Sequence, residues 1–228
     1  GVKAEQLPFD WRAPKVFGAL PSRFQTVDNF LEDATYHPAM PSKTTGPGLL
    51  KIADLTHKSG GWRDFEMYTT ALQAKHLRDV LHENIEETIG TKSEWVDKAI
   101  EEFGKNAGFR RSALLLGKYR LALLDYMEWG GLIDAKMKKH LTEKYPDYRP
   151  LLRLMEEDLL SRPGREAGGA RVAGLSTGLF RRKGSTRDIM PIFEAYQRMT
   201  FLAIDRAERN MAALSLIRTT KDMPGGGD

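Results

Sequence analysis

The chain of 228 residues contains no cysteine. This removes the disulfide framework, the thiolate nucleophile and the cysteine-ligated zinc site together, and it agrees with a reducing compartment without establishing one. No apolar run approaches the roughly 20 residues that a helix needs to cross a bilayer, so no membrane span is expected. The first residues lack the apolar core of a secretory signal peptide. Charge of one sign is also scarce: 35 basic residues stand against 31 acidic ones, a net of +4. So small a surplus gives only general attraction to polyanions, and clustering matters more than the total.

Catalytic signatures are missing as well. No glycine-rich GxxxxGK precedes Ser or Thr, and no GxGxxG opens a helix after a strand. Gly174, Ser176 and Gly178 satisfy GxSxG, but without the strand that a nucleophile elbow needs, and no histidine follows. His76, Asp79 and Glu83 fall at i, i+3 and i+7, which on a helix would give part of a metal site. No second ligand-rich helix accompanies them, and a histidine beside carboxylates is more commonly just solvated. The pairs Glu86/Glu87, Glu101/Glu102 and Glu156/Glu157 are adjacent in sequence and so do not face one another on a helix. No metal, cofactor or catalytic residue is therefore assigned.

What is present is a 41% apolar fraction, enough for a core. Its centre is the stretch from Phe109 to Pro150. At 100° per residue Phe109, Leu115, Leu116, Tyr119, Leu123, Leu124, Tyr126 and Met127 share a face, with Arg110, Arg111, Lys118, Asp125 and Glu128 opposite. Leu114 and Leu121 interrupt the polar face, which predicts a helix touched on more than one side. Gly130 and Gly131 end it, and Asp134 is placed to cap a second, mostly wet helix over Ala135 to Tyr145 that carries Lys136, Lys138, Lys139, Glu143 and Lys144.

In chain order, residues 1–21 read as an extended arm whose Pro8, Phe9, Trp11 and Phe17 call for a groove. The chain opens at Gly1 without methionine, as a piece of something longer or a processed product would. Residues 22–160 read as a helical domain. It starts with a short helix aligning Phe24, Val27, Phe30 and Leu31, followed by a proline-rich connector over His37 to Gly48 and a short helix over Leu49 to His57. A long helix follows over Trp62 to Ile89, its apolar set rotating from Tyr68 and Leu72 to Leu77 and Ile85. Thr91 and Glu94 have capping-box spacing and introduce a helix with Trp95, Val96, Ala99, Ile100 and Phe103 inward. Leu151 to Leu160 is ambiguous between an extended strip and a short helix.

Residues 161–188 form a glycine- and arginine-rich loop. Arg165, Arg171, Arg181, Arg182, Lys183 and Arg187 are candidate nucleic-acid contacts, because arginines on a glycine-rich segment reach phosphates with little steric demand and without reading sequence. A merely solvated loop is the alternative. The last helix, 189–220, packs on the helical domain and is followed by a glycine-rich tail over 221–228. Ile189, Phe193, Tyr196, Thr200, Ala203, Ala207, Asn210, Leu214 and Ile217 alternate four-three spacing, a heptad seam. That seam is expected against the central helix, with Phe193 and Tyr196 near Tyr119 and Leu123. A homo-oligomer is the other way to cover it. Asn210 would cost stability and fix register.

Two segments, GLIDAKMKKHLTEKYPDYRPLLRLMEED and RRKGSTRDIMPIFEAYQRMTFLAIDRAERN, carry a family resemblance. The "glycine, Leu-Ile, helix, Asp-Tyr-x-Pro, Arg" pattern and the basic Lys-Gly-Ser step before a long helix resemble the helical regions of large polyvalent proteins of bacteriophages and conjugative elements. With the helix from Trp62, the similarity spans roughly Trp62 to Ile217. It implies a phage virion or host-cytoplasm setting, and as partners other regions of a longer polyprotein-like chain or virion proteins.

Together these readings predict an all-α, irregular multi-helix domain with a long central helix, a long C-terminal helix and an extended N-terminal arm. The expected function is a non-enzymatic structural or interaction module of an internal virion-like protein, with non-specific DNA as a partner of the basic loop. The alternative is a helical accessory part of a larger nucleic-acid-modifying or peptidase enzyme whose catalytic domain lies outside these residues. The isolated chain should show no hydrolase, transferase or metal-dependent activity. Turnover abolished by replacing Ser176 or His76 would overturn that.

Overall fold

A computed structural model describes residues 22–145 and 191–221. The expected N-terminal arm, the segment from Leu151 to Leu160, the basic loop with its six candidate contact residues, Ser176, Ile189 and the tail from 222 lie outside the described residues. The fold is predominantly helical, with eight α-helices and one two-stranded sheet among the described residues. None of the described helices is long and apolar enough to cross a membrane. The described residues form two compact units. One holds 22–52, 115–144 and 197–221, and the other holds 53–114, 145 and 191–196.

In the first unit, α1 (Ser22–Asp28) runs into a π-helical turn, Asn29–Asp33. A hairpin follows, β1 (Ala34–His37) against β2 (Met40–Pro47), antiparallel from Ala34↔Pro47 to His37↔Met40 with irregularities on either side of Tyr36. From the sequence a connector is expected over His37 to Gly48. Pro38 does sit in the turn, but Thr35, Thr44 and Thr45 suit extended backbone, and the Thr35 and Thr45 hydroxyls bond across the strands at 2.9 Å. Prolines are tolerated in a strand so exposed and at the edge of a sheet. Phe30, fully buried, meets Tyr36, Tyr126 and Tyr119 edge-on at centroid distances of 5.1, 5.8 and 6.3 Å. This aromatic group is the core of the unit. Gly48 closes the hairpin against the π-helical turn: its amide donates to the Asp33 carbonyl at 3.0 Å, and a Cβ there would lie 2.8 Å from the backbone of Glu32 and Asp33.

The second unit takes the end of α2 (Leu49–Gly60), α3 (Trp62–Asp79), α4 (Ile85–Ile89), α5 (Ser93–Phe103) and the start of α6 (Ala107–Trp129). Ala71, Ala74, Leu77, Ile85, Ile89, Val96 and Ala99 make one buried cluster, with Trp95, Ile100 and Phe103 against it. The single helix expected from Trp62 to Ile89 is in fact two. α3 stops at Asp79, Glu83 turns its amide back to the Leu77 carbonyl at 2.9 Å, and the Asn84 side chain accepts from the amides of Glu86 and Glu87 to start α4. The rotation of the apolar set is the trace of this break, which lets Leu77 and Ile85 enter the same cluster. The capping box expected at Thr91 is not formed: α5 opens after Lys92 without a side-chain cap. Instead Arg78, at the end of α3, spans Asp79 at 2.6 Å and Asp97 at 2.9 Å, and donates to the Ser93 carbonyl at 3.3 Å. The guanidinium holds both carboxyls below the usual carboxylate range.

At the start of α6, Asn106 accepts from the amides of Gly108 and Phe109, at 2.9 and 3.2 Å, and donates to the Ser59 carbonyl at 2.6 Å. The cap of one helix is thereby tied to the end of another.

The turn after α3 holds His82 at φ 54°, the one non-glycine residue with positive φ among the described residues. A left-handed conformation costs an L-residue roughly 1–2 kcal/mol, only part of which glycine gives back through its freer unfolded chain. His82→Gly should therefore stabilise the protein by about 0.5 kcal/mol in chemical denaturation, whereas His82→Val should destabilise it.

Candidate functional site: the seam of the C-terminal helix

The long helix α8 (Ile192–Lys221) carries the predicted seam, and its residues divide between the two units. In the second unit the Ile192 amide donates to Glu66 at 3.2 Å, and Phe193 stacks on Phe65 with centroids 5.9 Å apart and planes at 22°. The expected neighbour of Phe193, Tyr119, belongs to the first unit. Phe65 is fully buried and also meets Phe109 at 5.6 Å, so it offers Phe193 an apolar platform. Tyr196 is fully buried as the seam requires.

In the first unit the seam lies against the central helix, as expected. Thr200, Ala203, Ile204 and Ala207 are completely buried. The Tyr119 and Thr200 hydroxyls share a hydrogen bond of 2.7 Å. Further along, Ala207 sits on Gly130 so closely that a Cβ on the glycine would come within 2.7 Å of the Ala207 Cα. Asn210 then donates its side-chain amide to the Gly130 carbonyl at 2.6 Å. One of the carbonyls left over at the end of α6 is thus satisfied by the polar residue that the heptad pattern singled out. Leu214 lies beside Gly131 and is about half exposed.

The glycine pair does what its position predicts. Gly131 has φ 70°, and the amides of Gly131 and Leu132 return to the carbonyls of Glu128 and Met127, both at 2.9 Å, a Schellman ending. Asp134 caps α7 (Ala135–Lys144), accepting from the Met137 amide at 2.6 Å.

Several polar residues around the central helix have partners that the face pattern does not anticipate. Tyr126 donates to the Glu208 carboxylate, and burial together with that negative charge pushes its hydroxyl far above the ordinary tyrosine value. Arg120 is 5% exposed and donates to the Leu141 carbonyl at 2.8 Å. Lys138, placed on a wet surface by the pattern, is instead half-buried between Asp125 at 2.7 Å and Glu128 at 2.5 Å. Burial works against its charge, but the two carboxylates outweigh this and hold the ammonium above its usual value. The available signal was chemical: a tyrosine hydroxyl or a guanidinium inside an apolar run must find a partner.

The other sequence candidates separate. His76 is buried on α3, Asp79 is held by Arg78, and Glu83 lies past the end of the helix, so the three do not share a helical face. No group of three or more His, Asp or Glu is arranged to hold a metal ion among the described residues. Leu114 and Leu121, expected under neighbours, are 63% and 38% exposed.

No protein-family model, curated protein or solved structure matches the chain.

Close approach at Gly130 makes it the sensitive point of the seam. Gly130→Ala should destabilise the protein by about 1–3 kcal/mol, the usual range for overpacking against backbone, as read by chemical denaturation. Gly117→Ala on the same helix, where a Cβ meets nothing within 4 Å, should be stabilising or neutral.

Proposed function

We propose that the chain is a non-enzymatic helical structural and interaction module of a phage polyvalent or internal virion protein, and that its basic loop neutralises DNA backbone. The observation that carries the first part is how the polar groups around the central helix α6 are used. Tyr119 meets Thr200, Tyr126 meets Glu208, Asn210 meets Gly130 and Arg120 meets Leu141. Hydroxyls, carboxylate and guanidinium engaged in this way fix helices against one another rather than waiting for a substrate. The family part rests on the resemblance of the 131–158 and 181–210 segments to polyvalent proteins. Partners on this reading are neighbouring regions of a longer chain or other virion proteins.

The DNA part rests on composition: Arg165, Arg171, Arg181, Arg182, Lys183 and Arg187 fall in one glycine-rich stretch. Phosphate neutralisation gives binding that falls steeply with salt and depends little on sequence. Replacing Arg181, Arg182 and Lys183 with alanine should lower the salt slope by roughly two to three units, at about 0.9 for each phosphate no longer neutralised. Titrating duplex DNA at two salt concentrations with both proteins tests this, and equal slopes would leave the cluster as a solvated loop.

A further inference from the structure

Single exposed apolar side chains are ordinary on a protein surface, and Trp62 is set apart by the way it is held. It opens α3 directly after Gly60 and Gly61 and is 55% exposed. Its indole N–H turns back to the Ala53 carbonyl of α2 at 3.4 Å, and the His57 ring meets it edge-on with centroids 5.6 Å apart and planes at 64°. The one polar group of the ring is thereby engaged on the protein side, while a large part of its apolar surface stays in water. Gly61 leaves the backbone beside it bare: a Cβ there would meet nothing within 4 Å. Ala53, His57, Lys58, Gly61, Trp62 and Arg63 all belong to the second unit. We infer that Trp62 is a stacking platform for an unstacked nucleobase, with Arg63 as the cation for its phosphate.

The charges around the ring select that ligand. His57 and Arg63 are exposed, and Arg63 has no ion-pair partner among the described residues. The acids nearby are occupied or turned away. Asp54 is held by Lys58 at 2.6 Å, Glu66 accepts from the Ile192 amide at 3.2 Å, and Asp64, two positions from Trp62, lies on the far side of the helix. A sugar laid on the indole needs acceptors as well as donors for its hydroxyls, whereas a guanidinium only donates. A flat aromatic ring that carries an anion satisfies both groups: every base offers a π face to the indole, and the guanidinium forks onto phosphate oxygens. In a duplex each base is already stacked between its neighbours, so the platform takes the unstacked bases of single strands or free nucleotides. The basic loop, by contrast, neutralises backbone whatever the bases do, and the two sites are independent of one another.

The test uses the full chain and a fluorescent single-stranded oligothymidylate of about 12 nucleotides, within the length that one such site occupies. Comparison ligands are an abasic oligomer of equal length, duplex DNA and thymidine monophosphate. The wild type should bind oligothymidylate more tightly than the abasic oligomer. Trp62→Leu should weaken oligothymidylate binding at least about fivefold, the lower end of what one stacked base contributes, and leave the abasic oligomer and the duplex as they were. Trp62→Phe keeps an aromatic face and should bind between the wild type and the leucine variant, a graded order that loss of the fold cannot imitate. Arg63→Ala should lower the salt slope for oligothymidylate by about 0.7, one phosphate on a single strand. Unchanged binding on Trp62→Leu, leucine and phenylalanine variants that bind alike, or an abasic oligomer weakened as much as oligothymidylate each overturn the inference. So does self-association that Trp62→Leu abolishes, which would assign the ring to a protein contact. Competition by thymidine monophosphate as strong per nucleotide as by the oligomer makes the free nucleotide the ligand, and much weaker competition makes it the strand. Loss of the Trp62 dependence with a normal duplex salt slope rejects the platform alone. Equal slopes with the Trp62 dependence intact reject the loop alone.

Discussion

A helix can approach another at backbone distance only where neither carries a side chain that would intervene, and the first unit depends on one such place, Gly130 under Ala207. The glycine does two things at once. It lies at the end of α6, where carbonyls need outside donors, and its bare Cα admits Ala207. Asn210, one helical turn further, is thereby carried to the Gly130 carbonyl. Away from this point Thr200 and Glu208 set their polar ends against Tyr119 and Tyr126. Small residues bring the helices together, and directional bonds determine how far along they sit.

The part of this that could be read from sequence is the part governed by neighbours in the chain. The central helix, its Gly-Gly stop and the Asp134 cap are local events, decided by residues within a turn of one another, and their positions hold. The heptad stripe also identified Thr200, Ala203 and Ala207 as buried. What periodicity carries no information about is which stripe meets which. Phe193 stacks on Phe65, and the partners of Tyr119 and Tyr126 lie about 80 residues away along the chain.

Two other failures have opposite causes. The apolar set from Trp62 to Ile89 rotates along its length, and rotation alone does not distinguish one helix meeting successive neighbours from the break at Asp79. The marker is Asn84, a cap with two amides to satisfy. The hairpin was hidden by its prolines, which argue against a strand in general but not against one exposed along its length. In the candidate site the basic stretch of 161–188 is a statement about composition alone, whereas the exposure of Leu114 and of Leu121 is seen only in the structure. Their interruption of the polar face was legible from the start, and its meaning was not.

The same prolines bear on how the protein behaves when concentrated. A sheet of two strands has as many open edges as it has strands, each a template on which another chain can stack. Pro41 and Pro47 remove two amide donors from the eight residues of β2, and the irregular register around Tyr36 bends the ribbon away from the flatness that such stacking needs. The hairpin that shelters Phe30 is in this way poorly suited to recruiting a third strand, and a largely helical protein carries its small β element without the aggregation hazard that an exposed edge brings.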